Sequence, residues 1–410
     1  MFRYTTVLML LFTCIFHSIL ATETYKYPVD VCFMVADLKY SAKQGVKICE
    51  IQQGSLSVFN GDAFRDPVDG SIYKNFLHAL SLYNQNGWVV ADYIADKNLV
   101  SALASSPLWQ TPKDMIALLS DSSFTYRAKQ PVKEINDLSS YQGFLYQSWS
   151  YLSAIFDFED RFSGMVVVDK SSFPFWGDKY KMTQLFADDE VLSTFKPKWG
   201  SYKKIYSKEL AEKVAEDLQC DTFVIKPRGE CLGNGVIITS RQNLDDVLFY
   251  IITKSGQLAD SQDPAYVVWK QDPFDSFIVE EFVISDPIAV PHLGNKIYQP
   301  TMRMAFLLVY HQHCHHVHFL GGYWKTPSLS IEEEGDFMQK NKDICEPPYY
   351  CAVDPKTMES VENDLLIALP LLHSKMLRFC SDSEGDFTPL NRNKFQFILE
   401  ERKNYSPPRH

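Results

Sequence analysis

Residues Asp221 to Thr239 combine a lysine, a proline and three glycines in a pattern suited to holding phosphate. A β-prone run ends on Lys226-Pro227. A loop with Gly229, Gly233 and Gly235 follows, and Val236 to Ile238 then read as a second strand. The pattern predicts a hairpin with a lysine at the end of its first strand and a loop free to fold over an anion. Phosphate binding needs close approach of backbone N–H groups, which side chains obstruct, and a fixed positive charge. No Gly-Lys-Ser/Thr follows and no helix is expected there, so the segment is not a Walker A loop.

Other groups fit the same chemistry. Asp178-Lys179 offers a second lysine, with Lys181 as a rival. Phe277 to Val283 reads as a strand carrying Glu280 and Glu281. Asp37 and Glu50 fall on two β-prone runs joined by a turn at Gln44-Gly45, so their carboxylates can meet across paired strands. Gln52 is two residues on, on the same face as Glu50. Two carboxylates and an amide carbonyl are hard oxygen donors suited to magnesium. Arg303 stands alone among apolar residues in Pro300 to Phe306 and needs an anionic partner there. That partner is either a structural carboxylate or a phosphoryl group.

The lysine strand with its glycine loop, Asp178-Lys179 and the Phe277–Val283 segment, taken in order, resemble the ATP-grasp superfamily. The early position of Asp37, Glu50 and Gln52 is similar to the permuted order of glutathionylspermidine synthase and eukaryotic glutathione synthetase, although Gln52 replaces the usual asparagine. The resemblance covers residues 176 to 325 well and 30 to 55 moderately. It implies an α+β fold in which two lobes clasp a nucleotide, with an additional N-terminal α/β region. It also implies an ATP- and Mg²⁺-dependent carboxylate–amine ligase working through an acyl phosphate. By that resemblance Lys179, Lys226, Gly229, Gly233, Gly235, Glu280 and Glu281 would bind ATP, and Arg303 would face the transferring phosphoryl group. The metal would sit on Asp37, Glu50 and Gln52. The conventional C-terminal position offers only Asp386 and Phe397 to Arg402, with Glu400. The partners implied are a small-molecule or peptide carboxylate and an amine. A nucleotide-binding protein without ligase activity and a kinase-like phosphotransferase are the rival readings.

The bulk composition agrees with a folded protein: 410 residues, 46% hydrophobic and 14% aromatic. A formal charge of −11 argues against a nucleic-acid-binding surface. Four units are expected: a signal peptide over 1–21, an α/β region with the metal hairpin over 22–175, the lysine-bearing lobe over 176–283, and the remainder of the large lobe over 284–410. Strands are expected at Val31–Leu38, Val46–Gln52, Trp88–Ile94, Met165–Val168, Thr301–Tyr310 and Val317–Trp324. Helical spacing marks Ile72–Tyr83, Lys113–Leu119 and Met358–Phe379. It also marks a helix capped by Ser207 with Leu210, Val214 and Leu218 on one face, and another with Leu244, Val247, Leu248 and Ile251. The aromatic segment Tyr141–Phe158 and the polar tail from Ser381 have no clear period.

Nine cysteines occur. Cys345 and Cys351 are the pair closest to a local bridge, and no C-x-x-C pair suggests zinc. Cys231 in the glycine loop reads as a small loop residue. His311, His313, His315, His316 and His318 crowd one expected hairpin tip. At the N-terminus, Arg3 precedes an apolar run from Val7 to Leu20, which predicts an export signal cleaved after Ala21. The alternative is an uncleaved N-terminal anchor. Export would make the protein secreted or periplasmic, or deliver it to a compartment that supplies ATP. N-terminal sequencing of the exported protein is expected to find a mature start near Thr22; a mature form retaining Met1 would refute the signal.

Overall fold

The computed structural model describes residues 25, 29–54, 61–62, 64, 71–83, 87–90, 109–110, 143–147, 165–175, 177–230, 233–255, 264–272 and 274–382. The expected signal, the Lys113–Leu119 helix, most of the aromatic segment, Cys231, Asp386 and the Glu400 region lie outside these residues.

The chain folds as α+β, with two large antiparallel sheets covered by helices and a separate parallel sheet. Strand β1 (Asp30–Ser41) turns at residues 42–44 into β2 (Gly45–Gln53). Helix α1 (Ser71–Ser81) follows, then β3 (Gly87–Val90), β4 (Trp109–Gln110), β5 (Gly143–Gln147) and β6 (Met165–Val167). These last four strands form a parallel sheet in the order β4-β3-β5-β6. Helices α2 (Lys179–Ala187) and α3 (Glu190–Thr194) lead to β7 (Trp199–Lys203) and α4 (Leu210–Leu218). The hairpin β8 (Thr222–Pro227) and β9 (Ile237–Ser240) is followed by α5 (Leu244–Thr253), α6 (Pro264–Gln271) and β10 (Ser276–Glu281). The remainder holds a short pair, β11 (Ile288–Val290) and β12 (Lys296–Tyr298), and the long hairpin β13 (Thr301–His311) and β14 (Cys314–Lys325). Helix α7 (Phe337–Asn341), β15 (Tyr350–Ala352) and the 28-residue helix α8 (Pro355–Asp382) complete it.

The large sheet runs β15-β14-β13-β1-β2, so the N-terminal hairpin adds directly to strands from the C-terminal half. Cα of Asp37 is paired with Arg303 on one side and Glu50 on the other. Strand β1 is central, and its first ten residues are buried without alternation. Both faces are covered, so there is no solvent side to select polar residues. Val31, Phe33 and Val35 pack with Ala305, Leu307 and Phe76 of α1. Cys32, Met34, Ala36 and Leu38 pack with Phe306, Leu308 and Leu369 of α8.

The smaller sheet, β7-β10-β8-β9, rests one face on α4, α5 and α6 through Phe223, Ile225, Phe277, Val279, Leu248 and Trp269. Helix α6 was not anticipated from the sequence. It buries Trp269 completely, and the indole Nε1–H donates to the Gly235 carbonyl at 2.7 Å. Ser207 does not cap α4. The helix begins after Glu209 without a side-chain cap bond, and Ser207 instead accepts from Leu210 N through its own carbonyl at 3.1 Å. Cys345 and Cys351 are free thiols rather than a bridge. Cys345 sits 3.7 Å from Lys325 Nζ, whereas Cys351 packs with the cluster beneath α8. The five hairpin histidines do not form one cluster. His315 is buried against His373 of α8, whereas His311, His316 and His318 ring Tyr83.

Leu308 lies at the centre of the large sheet with no exposed surface. Leu308→Ala is expected to cost about 2–5 kcal/mol from lost transfer energy and a residual cavity, read as a lower midpoint in urea denaturation.

Candidate functional site

An irregularity in β2 creates the floor of the site. In the β1–β2 ladder Asp37 pairs with Glu50 but Leu38 pairs with Ile48, so Cys49 is an extra residue without a partner. A bulge of this kind frees backbone groups from the ladder. Here the Cys49 carbonyl accepts from Lys196 Nζ at 2.9 Å and from Lys226 Nζ at 3.1 Å. The bulge therefore joins the large sheet to the lysine-bearing sheet.

The same two lysines share one carboxylate. Glu280 Oε1 is 2.7 Å from Lys196 Nζ and Oε2 is 2.5 Å from Lys226 Nζ. Lys226 and Glu280 lie on neighbouring strands β8 and β10, offset by two residues and on the face away from the helices. All three are buried. Burial alone would raise the Glu280 carboxyl, but Lys196 and Lys226 outweigh it and hold the group below its usual range. Burial lowers Lys196, with Glu280 opposing and Lys226 adding to the fall. Lys226 is pulled the other way, well above the usual lysine range, because Glu280, Cys49 and Glu50 outweigh its desolvation.

A second set positions the glycine loop. Asp178 caps α2, accepting from Tyr180 N and Lys181 N, and its two oxygens also take Arg228 Nε at 2.8 Å and Nη2 at 2.7 Å. The Arg228 guanidinium lies over the rings of Tyr180 and Phe274. The loop base is thus fastened to the N-terminus of α2, where Lys179 N donates to the Arg228 carbonyl at 3.1 Å. Gly233 and Gly235 have φ of 72° and 70°, which favour glycine. At Gly235 a Cβ would also meet Pro227 Cγ at 2.7 Å. Lys179 Nζ reaches Glu50 Oε1 at 3.1 Å.

The third set lies on the large sheet. Arg303 Nε and Nη2 clamp both oxygens of Asp37 at 2.7 Å each, and Lys325 Nζ adds a bond at 2.9 Å. Asp343 accepts from Lys325 Nζ at 2.5 Å and from the Thr301 hydroxyl at 3.2 Å. Burial would raise Asp37, but Arg303 and Lys325 drive it far below the carboxylate range. Lys39 Nζ donates to the Pro300 carbonyl at 2.9 Å, and desolvation lowers its pKa. Among the described residues, six cationic side chains (Lys39, Lys179, Lys196, Lys226, Arg303 and Lys325) stand with four carboxylates (Asp37, Glu50, Glu280 and Asp343). Two positive charges are left over, in a chain whose formal charge is −11.

Of the residues singled out from the sequence, Lys179, Lys226, Glu280, Asp37, Glu50 and Arg303 converge here. Gln52 sits beside Val35 in the ladder, two residues from Glu50. Glu281 does not share the lysines. It turns from Glu280 and accepts from Lys198 N at 2.9 Å. Both Asp37 oxygens already serve Arg303 and Lys325, so a cation on Asp37 competes with those bonds. Lys39, Lys196, Lys325 and Asp343 were missed. Lys39 and Lys325 directly follow the expected strands Val31–Leu38 and Val317–Trp324, and that position was a usable signal; Lys196 and Asp343 carry none.

No protein-family model and no curated protein matches the chain. Among solved structures, it is similar to a protein described as a candidate gamma-glutamylcysteine synthetase from Methylobacillus flagellatus KT, at 11% identity and a TM-score of 0.42. That match covers 85% of this chain and 90% of the other. A glutathione synthetase-like effector from Globodera pallida matches at 11% identity and a TM-score of 0.35, covering 74% of each chain. D-alanyl-alanine synthetase A from Vibrio cholerae matches at 10% identity and 0.32, covering 71% of this chain and 81% of the other. These likenesses are distant, and the functional reading rests on the charged side chains where the two sheets meet.

Removing Glu280 strands two buried ammonium groups. Glu280→Ala is expected to cost about 3–5 kcal/mol. Because its folded pKa is depressed below 4.5, Glu280 contributes stability that is present above that pH and lost as pH falls through the folded value. Thermal melts from pH 7 to 3 should therefore show a shallower acid loss in Glu280→Gln than in the native chain.

Proposed function

We propose that this chain is an ATP- and Mg²⁺-dependent carboxylate–amine ligase of the ATP-grasp type. The observation that carries the reading is the excess of two positive charges where two sheets meet, beside a glycine loop fastened by Asp178 and Arg228. An anion with several charges, delivered between the sheets, satisfies that excess. The order of lysine strand, glycine loop and Glu280 strand narrows the anion to a nucleoside triphosphate.

In this reading Lys226 and Lys196 take phosphate oxygens, with Glu280 fixing both ammonium groups beforehand. Lys179 leaves Glu50 to meet the nucleotide, which frees the Glu50 carboxylate for magnesium. Gln52 lies two residues further along the strand as a neutral oxygen donor. Magnesium, once bound, neutralises phosphate charge. Arg303 and Lys325 offset charge that develops when the substrate carboxylate attacks the γ-phosphorus. ADP leaves, the acyl phosphate forms, and the amine then attacks the acyl carbon and expels phosphate. The protein's part is to position the reactants and offset charge. We place its action after export, as the Arg3 to Ala21 pattern suggests.

One observation favours a second reading, a nucleotide-binding protein that does not turn over. Both acidic groups expected to hold magnesium are engaged by cations, Glu50 by Lys179 and Asp37 by Arg303 and Lys325.

ADP release that depends on both an added carboxylate and an added amine is expected from the ligase. Calorimetric ATP binding without ADP release would leave the second reading standing, and a stable phosphorylated carboxylate would indicate a phosphotransferase. Lys226→Ala should weaken ATP binding roughly ten- to a hundredfold, the loss of about 1.5–3 kcal/mol from a charge-assisted contact. Unchanged affinity in a folded variant would refute the assignment. Glu50→Gln should abolish Mg²⁺-dependent turnover while leaving the melting temperature close to native.

A further inference from the structure

A separate set of ligand-type side chains lies inside the large sheet's helical face, away from the cleft. Asp30 and Cys32 are on β1, two residues apart and on one face. His373 comes from α8, at the other end of the described chain. Their exposures are 2%, 0% and 0%. Contacts converge on a single oxygen, Asp30 Oδ2. It lies 2.9 Å from His373 Nε2, 3.4 Å from Cys32 Sγ and 2.7 Å from the Ser171 hydroxyl. The donor atoms of Asp30, Cys32 and His373 all lie within 4.8 Å of one another.

We propose that Asp30, Cys32 and His373 form a zinc-binding site that ties the first strand to the last helix. One carboxylate, one thiolate and one imidazole make a mixed O, S, N set suited to a borderline-soft divalent ion. In tetrahedral zinc, bonds of about 2.0–2.3 Å set neighbouring ligand atoms roughly 3.3–3.6 Å apart. The Asp30–His373 and Asp30–Cys32 separations of 2.9 and 3.4 Å need shifts of only a few tenths of an ångström, and the Cys32–His373 pair, within 4.8 Å, closes around the ion. Charge closes as well. A carboxylate, a thiolate and a neutral imidazole around Zn²⁺ give a neutral centre, which a fully buried position demands. Binding converts the Cys32 thiol to a zinc thiolate and releases its proton to solvent.

The surroundings match what a metal-bound histidine needs. With Nε2 on the metal, the other ring nitrogen requires a partner. His373 Nδ1 has one in His315 Nδ1 at 3.2 Å. His315 is in turn approached by the Tyr25 hydroxyl, which also bonds Ser374 at 2.8 Å. Ser171 Oγ lies 3.0 Å from Cys32 Sγ while its proton goes to Asp30 Oδ2, so it braces both ligands. The fourth position falls to water, as in three-ligand zinc sites.

Untagged full-length protein, produced with zinc in the medium and desalted, is expected to retain about one zinc per chain by elemental analysis. Replacing zinc by cobalt(II) should add a thiolate-to-cobalt charge-transfer band in the near ultraviolet. Cys32→Ser should lose the band, and His373→Gln should lose most of the metal. Cys314→Ser, in the histidine-rich hairpin, should keep both. If Cys32→Ser does not fold, the native and Cys314→Ser proteins still decide the matter. Native protein without bound zinc, or a cobalt band that disappears in Cys314→Ser, would overturn the site.

Discussion

Glu280 is the constraint on which the cleft depends. One buried carboxylate holds two buried ammonium groups, and both also donate to a backbone carbonyl from the other sheet. Without Glu280 two like charges would sit close together in a site excluded from water, an arrangement costing several kcal/mol. With it, Lys196 and Lys226 are fixed and the group keeps one net positive charge. The Cys49 bulge makes the arrangement specific. A regular ladder would spend that carbonyl on β1 and leave the two sheets unlinked at this point.

The Asp37 group follows the same logic. Arg303 and Lys325 are both fully enclosed, and Asp37 and Asp343 neutralise them. Such a network is held rigid by the low local dielectric and by its own hydrogen bonds. The bidentate Arg303–Asp37 pair also locks the register of β1 against β13, because a slip of one residue would split the pair and move one of its charges to the apolar face beneath α8. The geometry of this charged group and the strand register thus rest on one interaction. The Lys179–Glu50 pair differs in kind. It is partly exposed and bridges two elements singly, so it is the contact a ligand could displace at least cost.

The chain builds its large sheet from both ends. β1 and β2 come from the first 53 residues, β13, β14 and β15 from beyond residue 300, and α8 covers them. Nothing in β1 alone specifies this neighbour. Its unbroken burial shows only that both of its edges and both of its faces are occupied.

The sequence by itself determined most elements. β-prone runs and turn residues placed β1, β2, β8, β13 and β14, and helical apolar spacing placed α1, α4, α5 and α8, because these are local properties of the chain. It also drew attention to Lys226, Glu280, Arg303 and Asp37, since a charge inside an apolar strand requires a partner. The partners themselves were decided by tertiary structure. Lys196 binds Glu280 across 84 residues and Lys325 binds Asp37 across 288, distances over which sequence spacing carries no register. The Cys49 bulge, the division of the hairpin histidines between two faces and the free thiols of Cys345 and Cys351 were likewise fixed by pairing and packing. The helix start at Glu209 was set by backbone geometry rather than by the serine that local preference favoured. Residue type states which charges need company, and only the folded chain supplies it.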